Sequence, residues 1–249
     1  MRALLALVLA SGLAQAADKL PAPIAMMEQQ GVKIVGTFDA PGGLKGYAAQ
    51  VRNQALALYL TPDGKHVITG YMYDTKGNNV SEEILDKLVY QPQYKKDWQA
   101  LQSSNYIKDG ADSAKRVIYM FSDANCPYCN HVWRDARPWV EAGKVQIRHV
   151  MVGILRQSSL TKAAAIMASK DPSKTLHNYE QNREHAQLPD MAKIPDNIRK
   201  ELSHNYQLMQ QMGINATPAI YFKNDDGQVQ RINGAPRGAQ LEMVFGPKP

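Results

Sequence analysis

The chain of 249 residues contains two cysteines, Cys126 and Cys129, and only Pro127 and Tyr128 separate them. A disulfide between them closes a loop of four residues. The chain-entropy relation assigns so short a loop only about 2 kcal/mol of stabilisation. Such a bond is a poor brace and is easily opened and formed again. We therefore predict that the pair is a redox-active dithiol, which cycles with the Cys126–Cys129 disulfide.

A predicted helix gives the two sulfurs different roles. The motif follows an apolar strand at 116–121 and opens a helix that reaches about Arg137. With Pro127 in the first turn, Cys126 lies at the helix N-terminus, where free backbone N–H groups and the helix dipole stabilise a thiolate. Cys129 lies one turn deeper on the same face. We predict that Cys126, with a pKa below about 8.5, is the attacking nucleophile, and that Cys129 resolves the mixed disulfide.

A C-x-x-C pair also occurs in zinc sites, in c-type haem attachment and in structural disulfides. A zinc site needs two further ligands, and neither His131 nor the other histidines show a matching spacing. Haem attachment needs a histidine directly after the second cysteine, where this chain has Asn130. A structural disulfide stays as the weaker alternative because the loop is so short. We expect no metal and no cofactor.

Asp123 is a further candidate because it lies between the predicted strand and Cys126. An aspartate in a strand-to-helix loop most often caps a turn. Its alternative role is to accept the proton of Cys129. We favour the turn.

The elements that must position the dithiol fall into three regions. Residues 18–79 follow a 1–17 leader and read as a short helix and antiparallel strands, predicted at 23–30, 32–35, 44–51, 55–60 and 66–74. A core of some sixty residues is small, so self-association would help this region bury apolar surface. Residues 80–105 read as a helical linker, capped by Ser81 and interrupted by Pro92. Its span of roughly 35 Å suits a spacer, and the alternative is a helix packed on the next domain.

The pattern in residues 106–249 is that of a thioredoxin-like α/β domain. The strand, the dithiol helix and a second strand at 145–152 predict a parallel βαβ unit. A helical insertion and a closing hairpin follow, with elements predicted at 160–169, 195–212, 217–222, 228–232 and 240–245.

Thr217 and Pro218 begin the predicted strand at 217–222. A proline at a strand start is usually a trans boundary residue. A cis proline would instead leave the Thr217 backbone free to meet an extended peptide. The position of Pro218 in the thioredoxin-like order favours the cis form.

The N-terminus has the features of a secretory signal peptide. Arg2 precedes an apolar stretch at 3–10, and an A-x-A cleavage signature ends at Ala16, so cleavage follows Ala16 or Ala17. The alternative is a buried N-terminal helix. No later stretch reaches the roughly 20 apolar residues of a membrane span. The formal charge of +6 is scattered, without basic runs that interleave with aromatic residues, so no nucleic acid is expected as a partner.

Five segments carry a resemblance to a known family: 38–47 (FDAPGGLKGY), 59–66 (YLTPDGKH), 126–129 (CPYC), 136–140 (ARPWV) and 217–221 (TPAIY). Together they resemble the periplasmic DsbC/DsbG family of thiol:disulfide oxidoreductases, over essentially the whole chain and with the DsbG members most similar.

This resemblance implies a homodimer joined through cystatin-like N-terminal domains of α+β type, here 18–79, with thioredoxin-like catalytic domains at 106–249. It implies that Pro127, Tyr128, Thr217 and Pro218 complete the motif and contact the substrate backbone. It implies a membrane reductant of the DsbD type, and exported client proteins with oxidised cysteines. A DsbG-like protein reduces sulfenylated cysteines, and a DsbC-like protein isomerises disulfides. A chaperone-like binding dimer with an incidental dithiol is the alternative from another functional class.

Overall fold

The computed structural model describes residues 19–183, 185–189, 191 and 193–249, so the predicted signal peptide lies outside the described residues. Within the described part of the chain, no helix is both long and apolar enough to cross a membrane. Two sheets organise it, with four strands in the order β1-β2-β3-β4 and five strands in the order β5-β7-β6-β8-β9.

The first sheet is an antiparallel meander with one short helix packed on one of its faces. Its elements are α1 (Ala22–Gln29), β1 (Lys33–Asp39), β2 (Lys45–Val51), β3 (Gln54–Leu60) and β4 (Val67–Thr69). The α1 helix ends before Gly31, whose φ of +91° only glycine adopts readily. Ile24, Tyr47 and Leu58 form the centre of the core between helix and sheet.

The predicted strand at 66–74 is wrong over most of its length. Only Val67–Thr69 pairs with β3, and Gly70 follows with a φ of +144°. Asp74 then closes a tight turn, because its carboxylate accepts the backbone N–H groups of Lys76 and Asn78, each at 2.8 Å. An Asx turn therefore replaces the strand that the alternating pattern predicted.

The predicted break at Pro92 is also wrong. The helix α2 (Val80–Leu85) continues through one π-helical turn at Asp86–Tyr90 into α3 (Gln91–Gln102). A proline lacks the N–H for a bond to the preceding turn and its ring collides with that turn's carbonyl. The wider π turn directly before Pro92 accommodates both effects without ending the helix.

The cap of α2 differs from the prediction as well. Asn79 is the N-cap and accepts the N–H of Ser81 at 3.1 Å. Ser81 is instead buried inside the first turn, where its hydroxyl hydrogen-bonds the Tyr59 hydroxyl at 2.5 Å and accepts the Met72 N–H at 2.7 Å.

The helical segment packs at both ends. Leu85 and Val89 join the core on the other face of the first sheet, whereas Trp98 and Leu101 of α3 join the core of the second sheet. The alternative of a helix packed on the second domain is thus right for α3.

The central strand of the second sheet leads into the dithiol motif. The central strand β6 (Arg116–Asp123) runs parallel to β7 (Val145–Val152) and antiparallel to β8 (Ala219–Lys223), which confirms the predicted βαβ crossover and hairpin. The remaining elements are β5 (Ile107–Asp109), α4 (Pro127–Asp135), α5 (Arg137–Glu141), α6 (Ser159–Met167), α7 (Pro172–Gln181), α8 (Asp196–Gln211), β9 (Val229–Asn233) and α9 (Ala239–Phe245). The sequence interpretation missed β5, α5 and α7.

Candidate active site

The dithiol lies at the N-terminus of α4, directly after the central strand of the second sheet. Cys126 is the N-cap residue, and Pro127 occupies the first turn, where its missing N–H leaves no bond unmade. The backbone N–H of Cys129 donates to the Cys126 sulfur at 3.2 Å. Both cysteines are free thiols in this structure. The helix therefore supplies the N-terminal environment for a thiolate that the sequence predicted.

The environment moves the pKa values of the two thiols apart. A hydrogen bond from the Cys129 thiol, with others from Thr217 and from the N–H groups of Cys129 and Tyr128, lowers the pKa of Cys126 to about 6 although burial opposes this. Burial raises the pKa of Cys129, and the neighbouring Cys126 thiolate raises it further. At neutral pH the site thus holds one thiolate and one thiol.

Thr217 and Pro218 lie against the reactive sulfur, 91 residues from Cys126 in sequence. The Thr217–Pro218 peptide bond is cis, and the Thr217 carbonyl oxygen lies 3.3 Å from the Cys126 sulfur. The Thr217 hydroxyl is buried, and it helps to lower the pKa of the Cys126 thiol. The structure thus brings the two predicted site segments together.

Access to the site is uneven. Cys126 and Cys129 are each only 1% exposed, whereas Tyr128 between them is 51% exposed and packs edge-on against His131. Leu155 is a second exposed apolar side chain, in the loop that follows β7. The exposed part of the motif is therefore Pro127 and Tyr128, and both cysteines are buried beneath it.

Asp123 has the structural role that we favoured. Its carboxylate is fully buried and accepts four hydrogen bonds, from the N–H groups of Asn125, Ile154 and Leu155 and from the Ser159 hydroxyl, at 2.7–3.0 Å. Because its oxygens are all used in this way, Asp123 fastens the dithiol loop, residues 124–126, to the β7–α6 connection. It is not arranged as a proton acceptor for Cys129.

Among the residues that the structure describes, no group of three or more His, Cys, Asp or Glu side chains is arranged to hold a metal ion.

Comparison with known proteins identifies both regions of the chain. Residues 13–82 match the disulfide bond isomerase protein N-terminal domain family, and residues 105–246 match the thioredoxin-like domain family. The Pseudomonas aeruginosa thiol:disulfide interchange protein DsbG is 53% identical over 97% of this chain and 94% of its own length. The chain belongs to the DsbC/DsbG family of periplasmic thiol:disulfide oxidoreductases.

Two other relatives show where the chain lies within the DsbC/DsbG family. The Escherichia coli DsbG is 43% identical over 93% of this chain and 94% of its own length. The Escherichia coli DsbC is 27% identical over 86% of this chain and 83% of its own length. Similarity to DsbG is thus higher than to DsbC, as the sequence motifs indicated, and the chain is a thiol:disulfide interchange enzyme.

Solved structures support the fold. The catalytic domain of Proteus mirabilis ScsC superimposes with a TM-score of 0.52 at 24% identity, over 62% of this chain and 96% of that one. At this level of identity the likeness supports the thioredoxin-like fold of the DsbC/DsbG family and carries no argument about activity.

One group of residues at the site was missed in the sequence. The α7 helix and the two residues after it place Tyr179, Glu180 and Arg183 against the dithiol loop. The only local signal is Asp171 before Pro172, an N-cap followed by a proline in the first turn. Such a signal can predict the helix, but not that its far end reaches Cys126.

Proposed function

We propose that this protein reduces sulfenylated cysteines and non-native disulfides of exported proteins in the periplasm, with Cys126 as nucleophile and Cys129 as resolving thiol. The observation that carries the proposal is the opposite shift of two neighbouring thiols. The pKa of Cys126 falls to about 6, while burial keeps Cys129 protonated. Cys126 can thus attack as a thiolate while Cys129 is still protonated, which is the order of events that the reaction needs.

Reduction of a sulfenic acid proceeds in two displacements. The Cys126 thiolate attacks the client sulfur, an S–S bond forms, and the S–O bond breaks to release hydroxide, which takes up a proton as water. Cys129 then loses its proton and attacks the Cys126 sulfur, which releases the client thiolate and forms the Cys126–Cys129 disulfide. The client sulfur gains two electrons and the dithiol loses two.

The charge on Cys126 gives these steps their order. While Cys126 is a thiolate, its negative charge helps to keep the pKa of Cys129 high. Once Cys126 is part of a neutral mixed disulfide, that contribution is gone, so Cys129 ionises more readily. The resolving step is thereby favoured only after a client is attached.

The surroundings of the reaction are part of the proposal. Tyr128, Thr217 and Pro218 contact an extended client segment next to its cysteine. A membrane reductant of the DsbD type returns the two electrons that each cycle removes. Residues 1–17 direct export, 18–79 form the dimerisation domain of a homodimer, 80–105 link the domains, and 106–249 form the catalytic domain.

Trapping of mixed disulfides tests the proposal. The variant Cys129→Ala keeps the attacking thiolate but cannot resolve, so client proteins should accumulate as adducts in periplasmic extracts and be identified by mass. The Cys126→Ser variant is the matched control and should trap none. Clients with one cysteine support sulfenic-acid reduction, and clients with several cysteines favour an isomerase of the DsbC type. The absence of any Cys126-dependent adduct would overturn the redox function.

The alternative of a chaperone-like binding dimer makes a different prediction for the same control variant. Cys126→Ser should suppress aggregation of an unfolded client as well as the wild type does if binding alone is the function. Loss of redox turnover in that variant, together with retained suppression, assigns the two properties to different parts of the molecule.

A further inference from the structure

The loop that presents Cys126 is held from outside by one arginine. Arg183, two residues beyond the end of α7, donates from one guanidinium nitrogen to the Cys126 carbonyl oxygen and from another to the Ala124 carbonyl oxygen, each at 2.6 Å. The guanidinium fork thus spans the three-residue loop 124–126 and bonds both of its ends. Arginine suits this role because its planar group presents several donors in a fixed geometry.

A second contact from the same region reinforces the first. The buried Tyr179 hydroxyl donates to the Ala124 carbonyl oxygen at 2.8 Å. Lys162 on α6 donates to the Tyr179 hydroxyl at 3.2 Å and to the Asn125 side-chain oxygen at 2.9 Å. Each residue of the loop before α4 therefore has a partner in the helical insertion.

A third contact reaches the other cysteine through its neighbour. The Asn130 side-chain amide, directly after Cys129, donates to the Glu180 carboxylate and to the Glu180 carbonyl oxygen, each at 2.7 Å. Glu180 is buried, and burial raises its pKa while Arg183 opposes the rise. The Arg183 Nε atom lies 3.7 Å from this carboxylate. Removing one partner of a buried ion pair is costly because the other charge is left uncompensated, so Glu180 and Arg183 hold each other in place.

We propose that Tyr179, Glu180 and Arg183 are positioning residues that fix the dithiol loop and the first turn of α4 as a unit, with Arg183 stabilising the Cys126 thiolate. The backbone N–H groups of α4 stabilise that thiolate only while they point at the sulfur. The Arg183 guanidinium holds the Cys126 backbone in place and so keeps the sulfur in front of these groups. The guanidinium also brings a positive charge to the residue that becomes negative. This inference rests on the proposed function, because it concerns the reactivity of the same thiol.

The expected effect is on the titration of Cys126, which is measurable without any client. Arg183→Met keeps an unbranched apolar stem but removes the charge and both hydrogen bonds. We expect it to raise the Cys126 midpoint from about 6 by about one pH unit. The alkylation rate of the reduced protein at about pH 5 should then fall about tenfold. Mass analysis of the labelled peptide assigns the reaction to Cys126.

Three further variants separate the effect of charge from that of geometry. Arg183→Lys keeps a cation but cannot fork across two carbonyl oxygens, so its midpoint should lie between those of the wild type and Arg183→Met. Arg134→Met removes an exposed cation from the last turn of α4 and should leave the midpoint unchanged. Tyr179→Phe removes a single hydrogen bond from the loop, and amide exchange at residues 124–126 should become faster.

An unchanged Cys126 midpoint in a folded Arg183→Met protein overturns the inference. If Arg183→Met does not fold, Arg183→Lys decides, and a wild-type midpoint together with wild-type amide exchange in that variant has the same consequence. Failure of the client trap leaves these titrations interpretable, because they require only the reduced protein. A failed inference and a failed function are thus distinguishable.

Discussion

The two cysteine side chains of this site differ in pKa because they lie one helical turn apart. Hydrogen bonds from the Cys129 thiol and from Thr217 lower the pKa of Cys126 to about 6, whereas burial raises that of Cys129. In an unfolded chain both thiols have a pKa of about 8.5. The folded reduced protein therefore gives up its Cys126 proton at a lower pH than the unfolded chain does, and this difference is a free energy of folding.

The reduced protein should gain stability relative to the oxidised protein between about pH 6 and about pH 8.5, by up to about 3 kcal/mol. The gain should disappear as the pH falls through about 6. Above about pH 8.5 the raised pKa of Cys129 acts in the opposite direction, since the unfolded chain then ionises more readily. Thermal unfolding of both forms measures this difference in stability, because the contributions of the other titrating groups are nearly the same in the two forms. A difference that does not change with pH contradicts the lowered pKa of Cys126.

A substitution at Asp123 tests whether this residue has a structural role or takes part in proton transfer. Asp123→Ala removes four hydrogen bonds to a buried carboxylate. We expect the free energy of unfolding to fall by about 3 kcal/mol or more. Asp171→Ala removes one exposed cap bond to Lys174 and should cost about 1 kcal/mol. Urea unfolding measures both. A stable Asp123→Ala protein that fails only in resolving mixed disulfides would instead support proton transfer.

At the scale of elements, a buried carboxylate fastens α3 to the second sheet. Asp97 accepts the Tyr221 hydroxyl of β8 at 2.7 Å and the Gln93 amide at 2.7 Å. Burial raises the pKa of Asp97, and these two hydrogen bonds oppose the rise. A hydroxyl that bonds a buried carboxylate contributes more than a typical hydrogen bond because the partner is costly to leave unpaired.

Tyr221→Phe should therefore lower the free energy of unfolding by about 2 kcal/mol. Tyr94→Phe is the matched control, because the Tyr94 ring packs edge-on against Tyr221 while its hydroxyl makes no hydrogen bond in the described part of the chain. It should change stability by less than about 0.5 kcal/mol. Denaturant unfolding of the two variants makes the comparison, and equal losses would show that Asp97 does not depend on the Tyr221 hydroxyl.

The elements also show what the sequence could predict. The C-x-x-C spacing, the apolar β6 and the proline heading β8 are local signals, and they predicted the α/β domain and its site residues. The π turn before Pro92 and the tight turn at Asp74 depend on competing local geometries of nearly equal energy. The contact of Arg183 with the Cys126 carbonyl joins residues 57 apart. No periodicity encodes such a contact, because tertiary packing decides it.

At the scale of the whole molecule, the first sheet ends in an edge strand that a second copy of the chain would cover. The strand β4 pairs with β3 on one side only. Three large apolar or aromatic side chains on it and just after it are more than half exposed, namely Ile68, Tyr71 and Tyr73 at 53%, 60% and 61%. An unpaired strand edge with exposed apolar side chains favours pairing with another chain. A homodimer through the N-terminal domain would remove this edge from solvent.

Ile68→Lys should therefore convert the homodimer to a monomer, since a charge at an edge strand blocks pairing with a second edge. Sedimentation at micromolar concentration should give about half the wild-type mass. Met243→Lys places the same charge at an exposed apolar residue of α9 and should leave the dimer intact. The titration midpoint of Cys126 should stay at about 6 in both variants, because the contacts that set it lie within one chain. A wild-type protein that sediments as a monomer at every concentration would contradict dimerisation, whereas a dimeric Ile68→Lys protein would move the interface away from β4.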